Sequence, residues 1–134
     1  MLRGGGSSGL GQSLLLAFGL LWGGGLHALA ADEADLRDGK RVFRTQCLGC
    51  HSVEAGENRA GPSLAGLFGR EAGTLSGYNF SQAMKDADII WSPETLDEFL
   101  QGPNELVPGT KMVLWPLEER PRRQVITYLK SLAE

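Results

Sequence analysis

Cys47-Leu48-Gly49-Cys50-His51 is the stretch from which the rest of the chain is best read. Cys-x-x-Cys-His is the attachment signal of a c-type haem. Its spacing has a chemical reason. Two thiols add to the two vinyl groups of one porphyrin as thioethers, and the residue that follows is placed to ligate iron through its imidazole. Competing chemistries fit less well. A zinc site wants about four ligands, often as two cysteine pairs, and the whole chain has two cysteines and two histidines. A thioredoxin-like redox pair belongs to a βαβ context, whereas the pattern around Cys47 is helical.

Working outward, residues 32–46 read as a helix, with Leu36, Gly39 and Phe43 on one face and Val42 beside them. Residues 51–81 are rich in Gly, Pro, Ser and Asn and read mostly as loop. Ser81–Asp86 allows a short helical stretch. Ser92-Pro93-Glu94-Thr95 reads as a helix start: a serine cap, proline at the first helical position and an acid in the first turn. That helix is expected to run to about Gln101, where Gly102-Pro103 stops it. Glu119–Ala133 reads as the last helix, with Val125, Ile126, Leu129 and Leu132 on its apolar face and Tyr128 near the edge. Strand-like alternation is absent. The expectation is an all-α domain of about three main helices, its long loops wrapped around one covalently attached haem. Loops of that length are unusual in a compact domain unless they enclose something.

The N-terminus reads as an export signal. Arg3 precedes an apolar run through Trp22, and Ala28-Leu29-Ala30 fits the small-x-small cleavage pattern. The expected division is a signal peptide over residues 1–30 and a haem domain over residues 31–134. A retained anchor is the alternative, although the strongly apolar part is about half the ~20 residues a spanning helix needs. Export implies the periplasm. Removing residues 1–30 takes away Arg3 and His27, leaving 12 basic against 16 acidic side chains and His51 as the only histidine. An acidic chain of this kind does not suit nucleic acid or an anionic membrane surface.

A second iron ligand can be sought by elimination. Beyond the export segment the methionines are Met84 and Met112. Met112 lies in Pro108-Gly109-Thr110-Lys111-Met112, between two predicted helices, where turn residues let the backbone carry a side chain across a haem face. Met84, a lysine, or an open position remain as alternatives, and a buried methionine is often simple core filler.

At this point the sequence resembles the class I cytochrome c family, mitochondrial cytochrome c and the bacterial cytochromes c2 in particular. The resemblance runs from about Gly39 to Leu132. It is carried by Gly39-Lys40-Arg41-Val42-Phe43, the Cys47–His51 motif, Gly61-Pro62-Ser63-Leu64, Gly66-Leu67-Phe68-Gly69-Arg70, Ile90-Trp91, Glu94-Thr95-Leu96, Pro108–Met112 and Tyr128-Leu129-Lys130. It implies haem c bound through Cys47 and Cys50, and His51 and Met112 as axial ligands. It also implies a Pro62 carbonyl that accepts a hydrogen bond from the ligand histidine, with Arg70, Trp91 and Thr110 close to the propionates. Gly39, Phe43, Val125 and Tyr128 match a crossing of first and last helices.

The departures are informative. Phe80, Phe99 and Met84 stand where the mitochondrial proteins usually have tyrosine, tyrosine and asparagine, so much of a buried polar network would be missing. Leu114 replaces a phenylalanine at the haem edge. Gln46, Asn104, Glu105, Leu117 and Glu118 replace most of a surrounding lysine ring, while Lys111, Arg44, Arg122 and Arg123 remain. The implied function is a non-enzymatic carrier of single electrons between redox proteins such as a membrane oxidoreductase, dehydrogenase or oxidase. An exposed apolar patch at Leu114 and Trp115 would favour a tighter, subunit-like association. Monomeric state is expected.

Overall fold

The computed structural model describes residues 24–133, with side-chain surroundings from residue 32 onward. The first 23 residues of the predicted export segment lie outside the described residues. α1 spans Gly24–Val42 and passes into a five-residue π-helical turn, Phe43–Cys47. Four further helices follow: α2 (Gln82–Lys85), α3 (Pro93–Gln101), α4 (Pro103–Leu106) and α5 (Glu119–Ser131). Among the described residues there is no β-strand, only an isolated antiparallel bridge between Glu71 and Ile90. The all-α architecture with long loops is therefore as expected.

α1 was expected to continue to Gln46; instead its regular winding ends at Val42. The Thr45 hydroxyl donates to the carbonyls of Arg41 and Val42, both at 3.1 Å. A hydroxyl that occupies those acceptors competes with the regular ladder. The Leu48 N–H then reaches back five residues to the Phe43 carbonyl at 2.9 Å, so the chain enters the Cys47–His51 motif through a widened turn.

α1 and α5 cross at Gly39. A Cβ there would lie 2.7 Å from the Gln124 carbonyl carbon and 2.9 Å from Tyr128 Cβ, so only glycine lets the two backbones meet. Phe43 and Tyr128 fill the space beside the crossing, their ring centroids 5.5 Å apart. Gln124, buried at the same seam, donates to Asp35 Oδ1 at 3.1 Å and Asp38 Oδ2 at 3.4 Å. Val125 is fully buried, and Ile126 and Leu129 are nearly so. Leu132, assigned above to the same face, is 48 % exposed, because α5 ends at Ser131, short of the expected Ala133.

α3 starts as its sequence requires. Ser92 Oγ accepts from the Thr95 N–H at 3.2 Å, and Thr95 Oγ1 accepts from the Ser92 N–H at 2.8 Å, a reciprocal capping arrangement. Leu96, Phe99 and Leu100 form its buried face. Gly102 ends α3, but Pro103 at once opens α4, a short helix the sequence did not announce. Arg122 of α5 ties to α3 through Asp97 at 2.9 Å and to the Leu117 carbonyl at 2.7 Å.

Candidate haem site

Helices and loops converge on one cavity of about 380 Å³. Every residue singled out by sequence lines it: Cys47, Cys50, His51, Pro62, Arg70, Trp91, Thr110 and Met112. They arrive from different parts of the chain. The π turn delivers Cys47. The loop that follows delivers Cys50, His51 and Pro62. The segment between α4 and α5 delivers Thr110 and Met112.

The His51 ring is held on one side. Its Nδ1 lies 2.7 Å from the Pro62 carbonyl oxygen. A carbonyl can only accept, so Nδ1 carries the proton and donates. Burial pushes the imidazole pKa below its usual value, and the Pro62 hydrogen bond opposes that only partly. The ring is therefore neutral at pH 7 and keeps the Nε2 lone pair for a metal, with its orientation set by the Pro62 bond. Gly61 packs directly against it. A Cβ there would lie 2.7 Å from His51 Nδ1 and 2.9 Å from Nε2.

Backbone bonds fix the turn that carries the two thiols. The N–H groups of Cys50 and His51 both donate to the Cys47 carbonyl, at 3.0 and 2.9 Å. The Gly61 N–H donates to the Cys50 carbonyl at 2.7 Å. Arg59 adds a clamp absent from the sequence reading. Its Nη1 donates to the Leu48 carbonyl at 2.9 Å, while Glu57 accepts from its Nε and Nη2 at 2.9 and 2.6 Å. Arginine's planar fork suits that bidentate grip. Asn58 acts in parallel, its Oδ1 accepting from the Ser63 N–H at 2.9 Å. The short Glu57-Asn58-Arg59 run was the only sequence signal for these contacts. Burial and the adjacent Cys50 push the Cys47 thiol up to about 11, so without a bound group it is a neutral thiol at pH 7.

The rest of the cavity is largely apolar. Leu67, Met84, Trp91, Leu96, Phe99, Leu100, Val125 and Leu129 line it and are all buried. Trp91 meets Phe99 edge-on with centroids 5.2 Å apart. Phe80 sits against Tyr78 in a similar way, at 4.8 Å. The three departures at Phe80, Met84 and Phe99 thus make this part of the wall apolar where hydroxyl and amide groups were the alternative. Arg70 remains as a cation at the wall. It spends two N–H groups on the Ala65 and Ser63 carbonyls, at 3.0 and 3.1 Å. Partial burial lowers its pKa but leaves a guanidinium charged.

A large apolar cavity, a paired-thiol turn and a neutral imidazole define a class: a small domain built around a c-type haem. The cytochrome c family model matches residues 36–133. Cytochrome c of Cochliobolus lunatus is 41% identical over 102 residues, covering 75% of this chain and 94% of that protein. Cytochrome c of Arabidopsis thaliana is 41% identical over 101 residues, covering 74% and 90%. For Euglena viridis the figures are 41% over 101 residues, 75% and 99%. The chain belongs to the cytochrome c family, whose members hold haem c covalently through two cysteines, here Cys47 and Cys50. The family is one of haem electron carriers that work with redox proteins.

Proposed function

We propose that the chain is a periplasmic single-haem carrier that passes one electron at a time between redox partners, with iron ligated by His51 and Met112. The observation that carries this reading is the meeting of His51, Cys47, Cys50 and Met112 on one cavity. Haem supplies the one-electron couple. The chain's own residues decide its setting. His51 offers a neutral nitrogen oriented by Pro62. Methionine sulfur is a soft donor that favours ferrous iron, and the apolar wall disfavours extra positive charge. Two strong ligands would leave no position for a substrate, and His51 is the one histidine among the described residues lining the cavity. That favours a carrier over a peroxidase-like enzyme.

Met112 is preferred to Met84, although both line the cavity. Met84 is 7 % exposed and packs in the core on α2. Met112 lies outside any helix, between α4 and α5. Arg70, Trp91 and Thr110 are assigned to the propionate side. Export through residues 1–30, with cleavage after Ala30, is supported by the apolar run ahead of the first acid. Among the described residues no helix is long and apolar enough to cross a membrane. The family match begins only at residue 36. Partners are then a membrane oxidoreductase, a dehydrogenase or an oxidase, met by a monomer.

The deciding experiment is Met112→Ala beside Met84→Ala in haem-loaded protein. Met112→Ala is expected to abolish the sulfur-to-iron charge-transfer band and lower the reduction potential. Survival of that band in Met112→Ala, with its loss in Met84→Ala, would reverse the assignment. N-terminal mass after secretion reads the cleavage site.

A further inference from the structure

The segment that carries Met112 alternates. Met112 and Leu114 are half-buried, whereas Val113 is 94% exposed and Trp115 88% exposed; Met112, Val113 and Leu114 line the cavity and Trp115 does not. An indole exposed to that degree is not packing for this domain. It stands beside the cavity wall, in an uncharged run of Val113-Leu114-Trp115-Pro116-Leu117.

The surroundings offer little charge to steer a partner. Among the described exposed residues lining the cavity, Glu71 and Lys111 are the charged ones, and they cancel. The Lys111 ammonium is itself held by the Asn79 carbonyl at 3.0 Å. Of three arginines at the start of α5, beyond the run, Arg122 is paired with Asp97 at 2.9 Å, while Arg120 and Arg123 are largely exposed and lie 3.8 Å from Asp38 and 4.0 Å from Asp35. The run ends on Glu118 and Glu119, both exposed. An acidic docking face would therefore meet scattered arginines, Arg44 among them, and two nearby carboxylates, and not a continuous cationic ring.

We propose that Trp115, with Val113 beside it, anchors a docking surface for a redox protein whose own contact face is apolar and weakly charged. The proposal rests on the carrier function above and names the partner's surface chemistry. An aromatic anchor with an uncharged surround is the usual make-up of an energetic centre in an interface. Trp115 does not line the cavity, so its role is docking and not haem retention. During one encounter the donor loses one electron and the acceptor gains it; no bond forms and no proton moves.

The test uses the full haem-loaded chain, wild type, Trp115→Ser and Trp115→Phe, pre-reduced and mixed with two protein acceptors. One is a copper-A domain with an apolar docking face; the other is an oxidase with an acidic docking face. Hexacyanoferrate(III) serves as a small acceptor that needs no docking surface. The wild-type rate to the apolar acceptor should change less than about two-fold from roughly 10 to 200 mM salt. Trp115→Ser should lower it about ten-fold, Trp115→Phe should restore most of it, and hexacyanoferrate rates should match throughout. An unchanged rate in Trp115→Ser overturns the proposal. So does faster, steeply salt-dependent transfer to the acidic acceptor. A wild-type dimer that Trp115→Ser converts to monomer in sedimentation overturns the partner in favour of a second copy. Oxidation by hexacyanoferrate with transfer to neither protein defeats the carrier reading itself, and this proposal with it.

Discussion

The attachment loop, residues 47–63, and the methionine segment, residues 110–118, serve one cavity but are held in opposite ways. The attachment loop is tied by backbone bonds at Cys50, His51 and Gly61, by the Arg59–Glu57 clamp, and by Asn58 and Ser63. The methionine segment is held at its two ends and sparsely between them. The Thr110 N–H reaches the Val107 carbonyl and Lys111 Nζ the Asn79 carbonyl, both at 3.0 Å, while Arg122 donates to the Leu117 carbonyl at 2.7 Å and to the Glu118 carbonyl at 3.1 Å. Over residues 112–116 the Met112 N–H to Thr110 Oγ1 contact, at 3.3 Å, stands alone among the described residues, and it is long for its kind. One side of the cavity is thus prearranged by protein contacts, while the other depends on its proposed sulfur ligand to finish the fold. Segments with few buried contacts and few backbone bonds open first. The side built for permanent attachment is the rigid one. The side proposed to face partners is the loose one.

The strongest way to break this contrast is Gly61→Ala. The new methyl group would occupy space held by the His51 ring, and the loop around it has little freedom to yield. We expect loss of native histidine ligation, read in the haem spectrum, and a stability loss of roughly 3 kcal/mol or more, in the range of severe overpacking. A native spectrum with wild-type stability would show that the attachment loop is as pliant as the methionine segment. Arg59→Gln should act more weakly. It releases the Leu48 carbonyl and the Glu57 carboxylate, both near solvent, and a surface pair of this type contributes about 1 kcal/mol or less. Its signature should be local: faster amide exchange over residues 48–51, with the methionine segment unaffected. Equal acceleration in residues 110–118 would remove the distinction between the two sides.

Which parts were legible in the sequence follows from how local their causes are. The Cys47–His51 turn, the Ser92 cap and the apolar face of α5 as far as Leu129 are written in neighbouring residues and appear as read; Leu132, past the end of α5, does not. The eight residues singled out in the sequence all line one cavity, while their roles toward a haem belong to the proposal. Other features depend on contacts between distant segments. The π turn needs Thr45 to take the Arg41 and Val42 carbonyls. The pairing of residues 69–72 with 89–91, including Trp91 N–H to the Arg70 carbonyl at 2.9 Å, leaves no alternation in so short a piece. Arg122 looked like a free surface cation beside the haem edge. In the fold its side chain is 12% exposed and paired with Asp97, because the docking of α5 on α3 brings them together. The sequence raised an exposed patch at Leu114 and Trp115 only as a condition, because neighbours decide burial; in the fold Trp115 is 88% exposed and Leu114 half-buried.

The smallest expected effect gives the finest test of the contrast. Asp88 has φ of 53°, a left-handed conformation that costs an ordinary L-residue about 1–2 kcal/mol and glycine almost nothing. Asp tolerates it better than most, and glycine gains entropy in the unfolded chain. Asp88→Gly should therefore stabilise the fold by about 0.5 kcal/mol, read as a higher denaturant midpoint for helical circular dichroism. Asp88 lies outside both the attachment loop and the methionine segment. If the latter opens as a local event, its opening does not draw on whole-chain stability. The charge-transfer band should then disappear at the same denaturant concentration in both proteins, while the helical midpoint moves up. The interval between the two transitions should widen. A band that shifts in step with the helices would mean that residues 110–118 unfold only with the whole domain, and that their sparse hydrogen bonding does not make them a separate unit.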